Sequence, residues 1–216
     1  MLALAASGSV HEGDWLIAER QTAGRGRQGR AWVSPPGNLY ASGLIELRAG
    51  DPPASTLALV AGLAVVEVLS TSDLSLKWPN DVLVGSAKVA GILLERQNDA
   101  VVIGVGANLA HHPDLPDRST MSLAALGVTM SADTAISALA PAFVRWLGTW
   151  RTAGLPVIRT AWLDRAHPIG TPLAAELPDG TRIEGGFDGL TPDCALQLCL
   201  ADGSLRVIHA GDIFLI

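Results

Sequence analysis

The sequence of 216 residues predicts an α+β protein: a mixed β-sheet packed by helices, followed by a small SH3-like β-barrel. Three observations predict it. Short apolar runs with strand character are interleaved with longer runs that suit helices. After His167-Pro168 the texture changes to brief alternating runs, separated by the turn signals Pro178-Asp179-Gly180, Asp188-Gly189 and Asp202-Gly203. The length fits one substantial unit and an appendage. The boundary therefore falls near residue 168, giving units 1–167 and 168–216.

In chain order, "MLALAASG" has helical composition and stops at Gly8, with no capping residue ahead of it. "DWLIAE" (14–19) is a short strand and "GNLYASGLIEL" (37–47) a second. Pro52-Pro53 opens an apolar helix to about Ser70, with proline at a first-turn position it tolerates. "LSLKWP" and "VLVG" are short strands joined by a turn. "KVAGILLERQ" and the nearly continuous apolar "VVIGVGANL" are two more. Ser131 caps a helix to about Ala153, and a second runs from Pro156 to Arg165. Cys194 and Cys199 fall in one strand run on opposite faces, which suits thiols rather than a disulfide.

A net charge of −6 argues against general nucleic-acid binding, which needs a broad basic face. No apolar run reaches the roughly eighteen residues a membrane span requires. The nearest, Leu57 to Leu69, is short and carries Glu67. With no cationic leader, the expected location is cytoplasmic.

Against this acidic background, "GRGRQGRAW" places Arg25, Arg27 and Arg30 among Gly24, Gly26 and Gly29, with Trp32 close behind. The G-x-G-x-x-G spacing is a decoy: a dinucleotide fingerprint must open a helix, and Ser34-Pro35-Pro36-Gly37 follows instead. What remains is a supple loop of guanidinium forks suited to phosphate or carboxylate. "KWPND" (77–81) forms a turn, and seven residues on Lys88 stands at the mouth of an apolar strand beside Gly91. "GVGANL" sets Gly104 and Gly106 in a strand, where glycine admits close approach, and ends on Asn108, which can read a purine edge. Singly, each has an ordinary reading: a solvated basic loop, a hairpin with an edge lysine, a bulge. His111-His112 lack a third ligand at metal spacing.

In order, "ERQTAGRGRQGRAW", "GNLYAS", "KWPNDV", "KVAGILLE" and "GVGANL", closed by a small β-module, resemble the biotin protein ligases over nearly the whole chain. The resemblance implies a two-step reaction. Biotin and ATP, with Mg²⁺, give biotinyl-5′-AMP and pyrophosphate. Biotin then passes to one lysine of a biotin carboxyl carrier protein, or the carrier domain of a biotin-dependent carboxylase. It implies that Lys88 contacts the biotin carboxylate and the phosphate, that Asp81 serves chemistry or acceptor positioning, and that Arg25 and Arg27 act beside them. Biotin contacts then fall to Gln21 (the ureido ring), Thr22, Gly24, Arg25, Tyr40, Lys88, Gly91, Gly104 and Gly106. Nucleotide contacts fall to Arg25, Gly26, Arg27, Arg30, Trp32, Asn80, Lys88 and Asn108, with Trp32 and Asn108 toward adenine. No metal ligands are assigned.

This agrees with the residues themselves. Adenylation uses the substrate's own carboxylate as nucleophile, so none is needed from the protein, and the site must gather two anions. A mixed anhydride is hydrolysed in water, so a loop ordered by the phosphate it grips is expected to close over it. Relatives carry a strand and a Ser-Thr-Asn segment before the first helix, so the N-terminal strand is expected to be missing here, weakening biotin binding. The lack of a winged-helix region implies a ligase-only type, without membrane or nucleic-acid partners, and relatives imply pairing into a homodimer. The competing readings are a lipoate-protein ligase-like acyltransferase and a truncated, non-catalytic biotin- or nucleotide-binding module.

Overall fold

The computed structural model describes residues 1–71, 73–116 and 118–216. Helix α1 (Leu2–Ala6) has no side-chain cap and is ended by Gly8 at φ +69°. Strands β1 (Trp15–Ile17), β2 (Leu39–Glu46), β3 (Leu74–Lys77), β4 (Asp81–Val84), β5 (Ala87–Gln97) and β6 (Ala100–Ala107) form one sheet, ordered β1-β2-β6-β5-β4-β3. The pairings between these strands are antiparallel. The parallel component of the mixed sheet comes from bridges to the surrounding loops, Leu76 to Ala166 and Lys88 to Thr120.

Residue alternation divides this sheet into two working faces. Val101, Ile103 and Val105 of β6, with Ile92 of β5 and Ala41 and Ile45 of β2, point into the core. There they meet helix α2 (Leu57–Leu69), whose every residue but Glu67 and Val68 is buried. A tight 3-10 turn, Ala54–Thr56, separates the Pro52-Pro53 pair from this helix, so the helix starts later than the prolines suggest. Helix α3 (Ala132–Ala153) is capped as expected, with Ser131 Oγ accepting from the Thr134 amide at 3.1 Å. Its buried stripe of Ile136, Leu139, Phe143, Leu147 and Trp150 repeats at helical spacing. Helix α4 (Leu155–Leu163) completes the layer with Ile158 and Trp162. The opposite face of β2, β5 and β6 carries Gly91, Gly104, Gly106 and Glu95, and is open to the site.

The C-terminal strands β7 (Pro172–Glu176), β8 (Arg182–Leu190), β9 (Leu196–Cys199), β10 (Leu205–Ile208) and β11 (Asp212–Leu215) form a second antiparallel sheet, ordered β10-β9-β8-β7-β11. Among the described residues no pairing joins β10 to β11, so the expected five strands form an open sheet in hydrogen-bonding terms. Cys194 lies ahead of β9 rather than within it, in a left-handed turn at φ +67°, and both cysteines are free. The Cys194 carbonyl accepts from the Trp78 indole at 3.1 Å, and the Leu190 carbonyl accepts from Arg159 at 2.7 Å. These bonds and a shared apolar cluster fasten the two sheets together. No helix among the described residues is long and apolar enough to cross a membrane.

The segment before β1 is held by charge. Arg151 on α3 donates to both carboxylate oxygens of Glu12, at 2.8 and 2.9 Å, and lies 3.3 Å from Asp51. The Arg151 hydrogen bonds, aided by the Glu46 amide and Arg48, hold the Glu12 carboxyl at about 2. A depressed carboxylate pKa stabilises the fold above the ordinary glutamate range and loses that contribution as pH falls toward the folded value. Glu12→Gln is expected to lower the unfolding free energy by about 1–2 kcal/mol at pH 7, solvent screening included, with the deficit shrinking below about pH 4.5. Urea titrations of both proteins across that range measure it.

Candidate functional site

A cleft of about 490 Å³ lies between the open sheet face, the loop 21–34 and the first residues of β11. The loop is a compact turn rather than a loose strap. Gly26 donates to the Arg30 carbonyl at 2.7 Å, Trp32 donates to the Gly24 carbonyl at 2.9 Å, and Arg25 bridges Ala31. Glycine is required at position 24, where a Cβ would sit 2.5 Å from the Trp32 carbonyl oxygen.

All three arginines of the loop are engaged. Arg25 pairs with Glu95 on β5 at 3.0 Å, largely in solvent. Arg27 reaches the Asn80 amide oxygen at 3.4 Å, the Gly211 carbonyl at 3.0 Å and Asp212 at 3.5 Å. Arg30 pairs with the other oxygen of Asp212. The Asn80 amide in turn donates to the Ile92 carbonyl at 2.6 Å, so the turn before β4 is tied to β5.

Deeper in the cleft, Asp81 lies between two lysines, 2.5 Å from Lys88 and 3.1 Å from Lys77. Burial works to raise the Asp81 carboxyl, but the charges and hydrogen bonds of Lys88 and Lys77 outweigh it and hold it below the usual carboxylate range. Burial also pushes the Lys88 ammonium down, against the pull of Asp81, and Lys77 and Arg118 add like-charge pressure. Lys77 donates its remaining reach to the Ile213 carbonyl at 2.6 Å. The strap after β6 fastens Lys88 from above: its amide donates to the Ser119 carbonyl and its carbonyl accepts from Met121, both at 2.9 Å.

Trp32 rests on a glycine floor. A Cβ at Gly106 would lie 2.6 Å from the indole ring, and one at Gly91 would lie 3.3 Å from it and 2.9 Å from Lys88. The Lys88 nitrogen sits 5.3 Å from the ring centre, within cation–π range. The buried indole N–H has no hydrogen-bond partner among the described residues.

Of the residues singled out from sequence, Gln21, Arg25, Gly26, Arg27, Arg30, Trp32, Asn80, Asp81, Lys88, Gly91, Gly104, Gly106 and Asn108 line the cleft. Thr22, Gly24 and Tyr40 do not. Tyr40 is on the site-facing side of β2, but it is buried beneath the loop and its hydroxyl donates to the Pro35 carbonyl at 2.8 Å. Asn108 is also buried, and its amide donates to the carbonyls of Met121 and Lys88, bracing the strand ends that carry the lysine. Gly106 admits Trp32 rather than leaving an open bed. Sequence reasoning missed Glu95, Asp212 and the second lysine, Lys77. Lys77 was adjacent in the Lys-Trp-Pro-Asn-Asp run, whereas Asp212 reaches the loop across 182 positions and left no local signal.

Residues 4–108 match the biotin/lipoate A/B protein ligase family, and residues 169–216 match the biotin protein ligase C-terminal domain. A biotin–[acetyl-CoA-carboxylase] ligase of Paracoccus denitrificans is 39% identical, over 93% of this chain and 89% of its own. One from Mycobacterium tuberculosis is 37% identical, over 99% and 83% respectively. Among solved structures, a biotin protein ligase from Aquifex aeolicus in complex with biotin and ATP matches with a TM-score of 0.83. It is 27% identical and covers 96% of this chain and 90% of that one.

The contact between Trp32 and its glycine floor is testable by a double-mutant cycle. Gly106→Ala is expected to cost about 1–3 kcal/mol of stability by overpacking. In a Trp32→Ala background that cost should fall by at least about half, since the atoms in conflict are gone. Strictly additive unfolding free energies would show that the indole is not what position 106 accommodates.

Proposed function

The chain belongs to the biotin protein ligases, within the biotin/lipoate A/B protein ligase family, and from that premise we propose that its cleft activates biotin with ATP and transfers it to a carrier protein. In the first step a biotin carboxylate oxygen attacks the α-phosphorus of ATP. The bond from that phosphorus to the bridging oxygen breaks, pyrophosphate leaves, and biotinyl-5′-AMP forms. In the second, a lysine amine of a biotin carboxyl carrier domain attacks the acyl carbon, AMP leaves, and an amide remains. The observation that carries this reading is the convergence of Arg25, Arg27, Arg30 and Lys88 on one cleft whose floor is apolar strand and glycine.

Each side chain has work suited to its place. Lys88 is the ammonium beside both the carboxylate and the α-phosphate, where negative charge gathers as the two anions meet. Asp81 holds it there; a carboxylate flanked by two lysines is a poor proton acceptor and a good anchor. Arg27 and Arg30 present forked donors to the phosphate chain, and Arg25 closes the outer side. Gln21, Gly91 and Gly104 form the wall assigned to the vitamin, and Trp32 with Asn108 the wall assigned to the base. Thr22, Gly24 and Tyr40 support these walls from outside the cleft. We place the catalytic unit at 1–167 and the C-terminal module at 168–216.

Mg²⁺ fits this site as a companion of the triphosphate. No group of three or more His, Cys, Asp or Glu residues that could hold a metal ion occurs among the described residues. The cleft carboxylates Asp81, Glu95 and Asp212 are each paired with a cation, so a donor set made chiefly of phosphate oxygens suits it.

Incubation with biotin, ATP, Mg²⁺ and a biotin carrier domain, followed by intact mass of the carrier, tests the reading. A gain of one biotinyl group is expected, with Lys88→Ala slowing its appearance by about 100-fold or more. A carrier that gains lipoyl from lipoate and nothing from biotin would overturn it.

A further inference from the structure

Of the fifteen basic residues in the chain only two are lysines, Lys77 and Lys88, and both lie in the cleft. The exposed cations, among them Arg20, Arg96, Arg182 and Arg206, are arginines. Their guanidinium groups stay protonated and offer no amine nucleophile. The two lysine side chains are 15% and 17% exposed, and each takes its own oxygen of Asp81. The strands set this up. Lys77 ends β3 directly opposite Asp81 at the start of β4, and Lys88 follows on β5, the next strand over. Among the described residues no other carboxylate pairs with either lysine. The remaining charged neighbours are cations: Lys77 and Arg118 press on Lys88, and Lys77 presses on His167. Strand β6 alongside carries no charged residue.

The chemistry proposed for the cleft makes this pattern matter. Biotinyl-5′-AMP is a mixed anhydride open to attack by any lysine amine, and Lys88 is placed beside its acyl carbon. A neutral Lys88 Nζ would attack that carbon, the bond from carbon to the phosphate oxygen would break, and AMP would leave. The nitrogen would then lose a proton, and the biotinyl amide would remain on the enzyme. An amine fixed in the site has proximity in its favour over any acceptor arriving from solution. Burial adds to the hazard, because it favours the neutral form of Lys88.

We propose that Asp81 guards the cleft's own amines, keeping Lys88 and Lys77 as ammonium ions so that the activated biotinyl group is left for an amine from outside the chain. This rests on the ligase reading above. With a proton on each nitrogen no lone pair faces the acyl carbon, yet the positive charge that attracts phosphate is kept. Asp81 acts through the lysines and is a positioning residue.

The test supplies synthetic biotinyl-5′-AMP to the full chain without carrier, so it does not depend on how fast a variant makes its own. Label on the peptides carrying Lys77 and Lys88 is followed by mass spectrometry from about pH 7 to pH 9. At about pH 7.5, Asp81→Asn should label Lys88 at least about tenfold faster than the parent, which corresponds to one pH unit of titration. Its rate should level off at a lower pH than the parent's, and Asp81→Glu should return both readings toward the parent. A variant that had merely lost its structure would show the steep pH dependence of an ordinary lysine instead. Equal labelling of Lys88 in the parent and Asp81→Asn would overturn the proposal. If Asp81→Asn does not fold, the parent decides: its Lys88 labelling by trace acetic anhydride at about pH 7.5 should be below about a tenth of the high-pH plateau. Labelling at half the plateau or more would overturn the proposal. A parent that neither makes nor binds biotinyl-AMP refutes the ligase reading, while the anhydride measurement still reports whether Asp81 keeps the amine protonated.

Discussion

One buried carboxylate organises the chemistry of this molecule. Asp81 sits between Lys77 and Lys88, and β4, β5, the strap after β6 and the start of β11 meet at that trio. An isolated ammonium in such a place would be driven toward its neutral form, and an isolated carboxylate likewise. Together each favours the charged form of the other, and the second lysine uses its spare hydrogen bond to reach the other sheet. Such an arrangement adds little to net stability compared with apolar packing. What it supplies is a fixed cation at the mouth of an otherwise greasy strand.

The sheet makes that cation useful because its two faces obey different rules. Toward the helices, β2, β5 and β6 present branched residues in close contact with α2. On the opposite side β5 and β6 thin to glycine at 91, 104 and 106. Thinness alone does not define a ligand bed, as Gly106 shows by receiving Trp32 from the protein's own loop. The indole, the lysine and the two glycines beneath them form one contact group, so a change at any member is felt by the others.

Much of this was legible in the chain itself, and the reasons differ by residue. The arginine loop, the Lys-Trp-Pro-Asn-Asp turn and Lys88 stand out because their residue types are costly to place without a purpose and lie close together in sequence. The strands and helices followed hydrophobic period, and the cap at Ser131 followed from its hydroxyl. Local signals misled where tertiary context decides. Cys194 sits in a left-handed turn rather than a strand: its amide donates to the Thr191 carbonyl at 2.9 Å, closing the turn over Pro192-Asp193, and its carbonyl accepts from Trp78. Tyr40 shares the site face yet is sealed beneath Pro35. Asp212 and Glu95 were invisible for a simpler reason: an ordinary acidic residue in a strand carries no mark of the distant arginine it will meet.

The position of that last strand also bears on how the protein is made. The loop that grips and the strand that braces it are separated by most of the polypeptide. During synthesis, residues 21–34 leave the ribosome long before Gly211 and Asp212 exist to meet them, so Arg27 and Arg30 gain their carboxylate partner only when translation is nearly over.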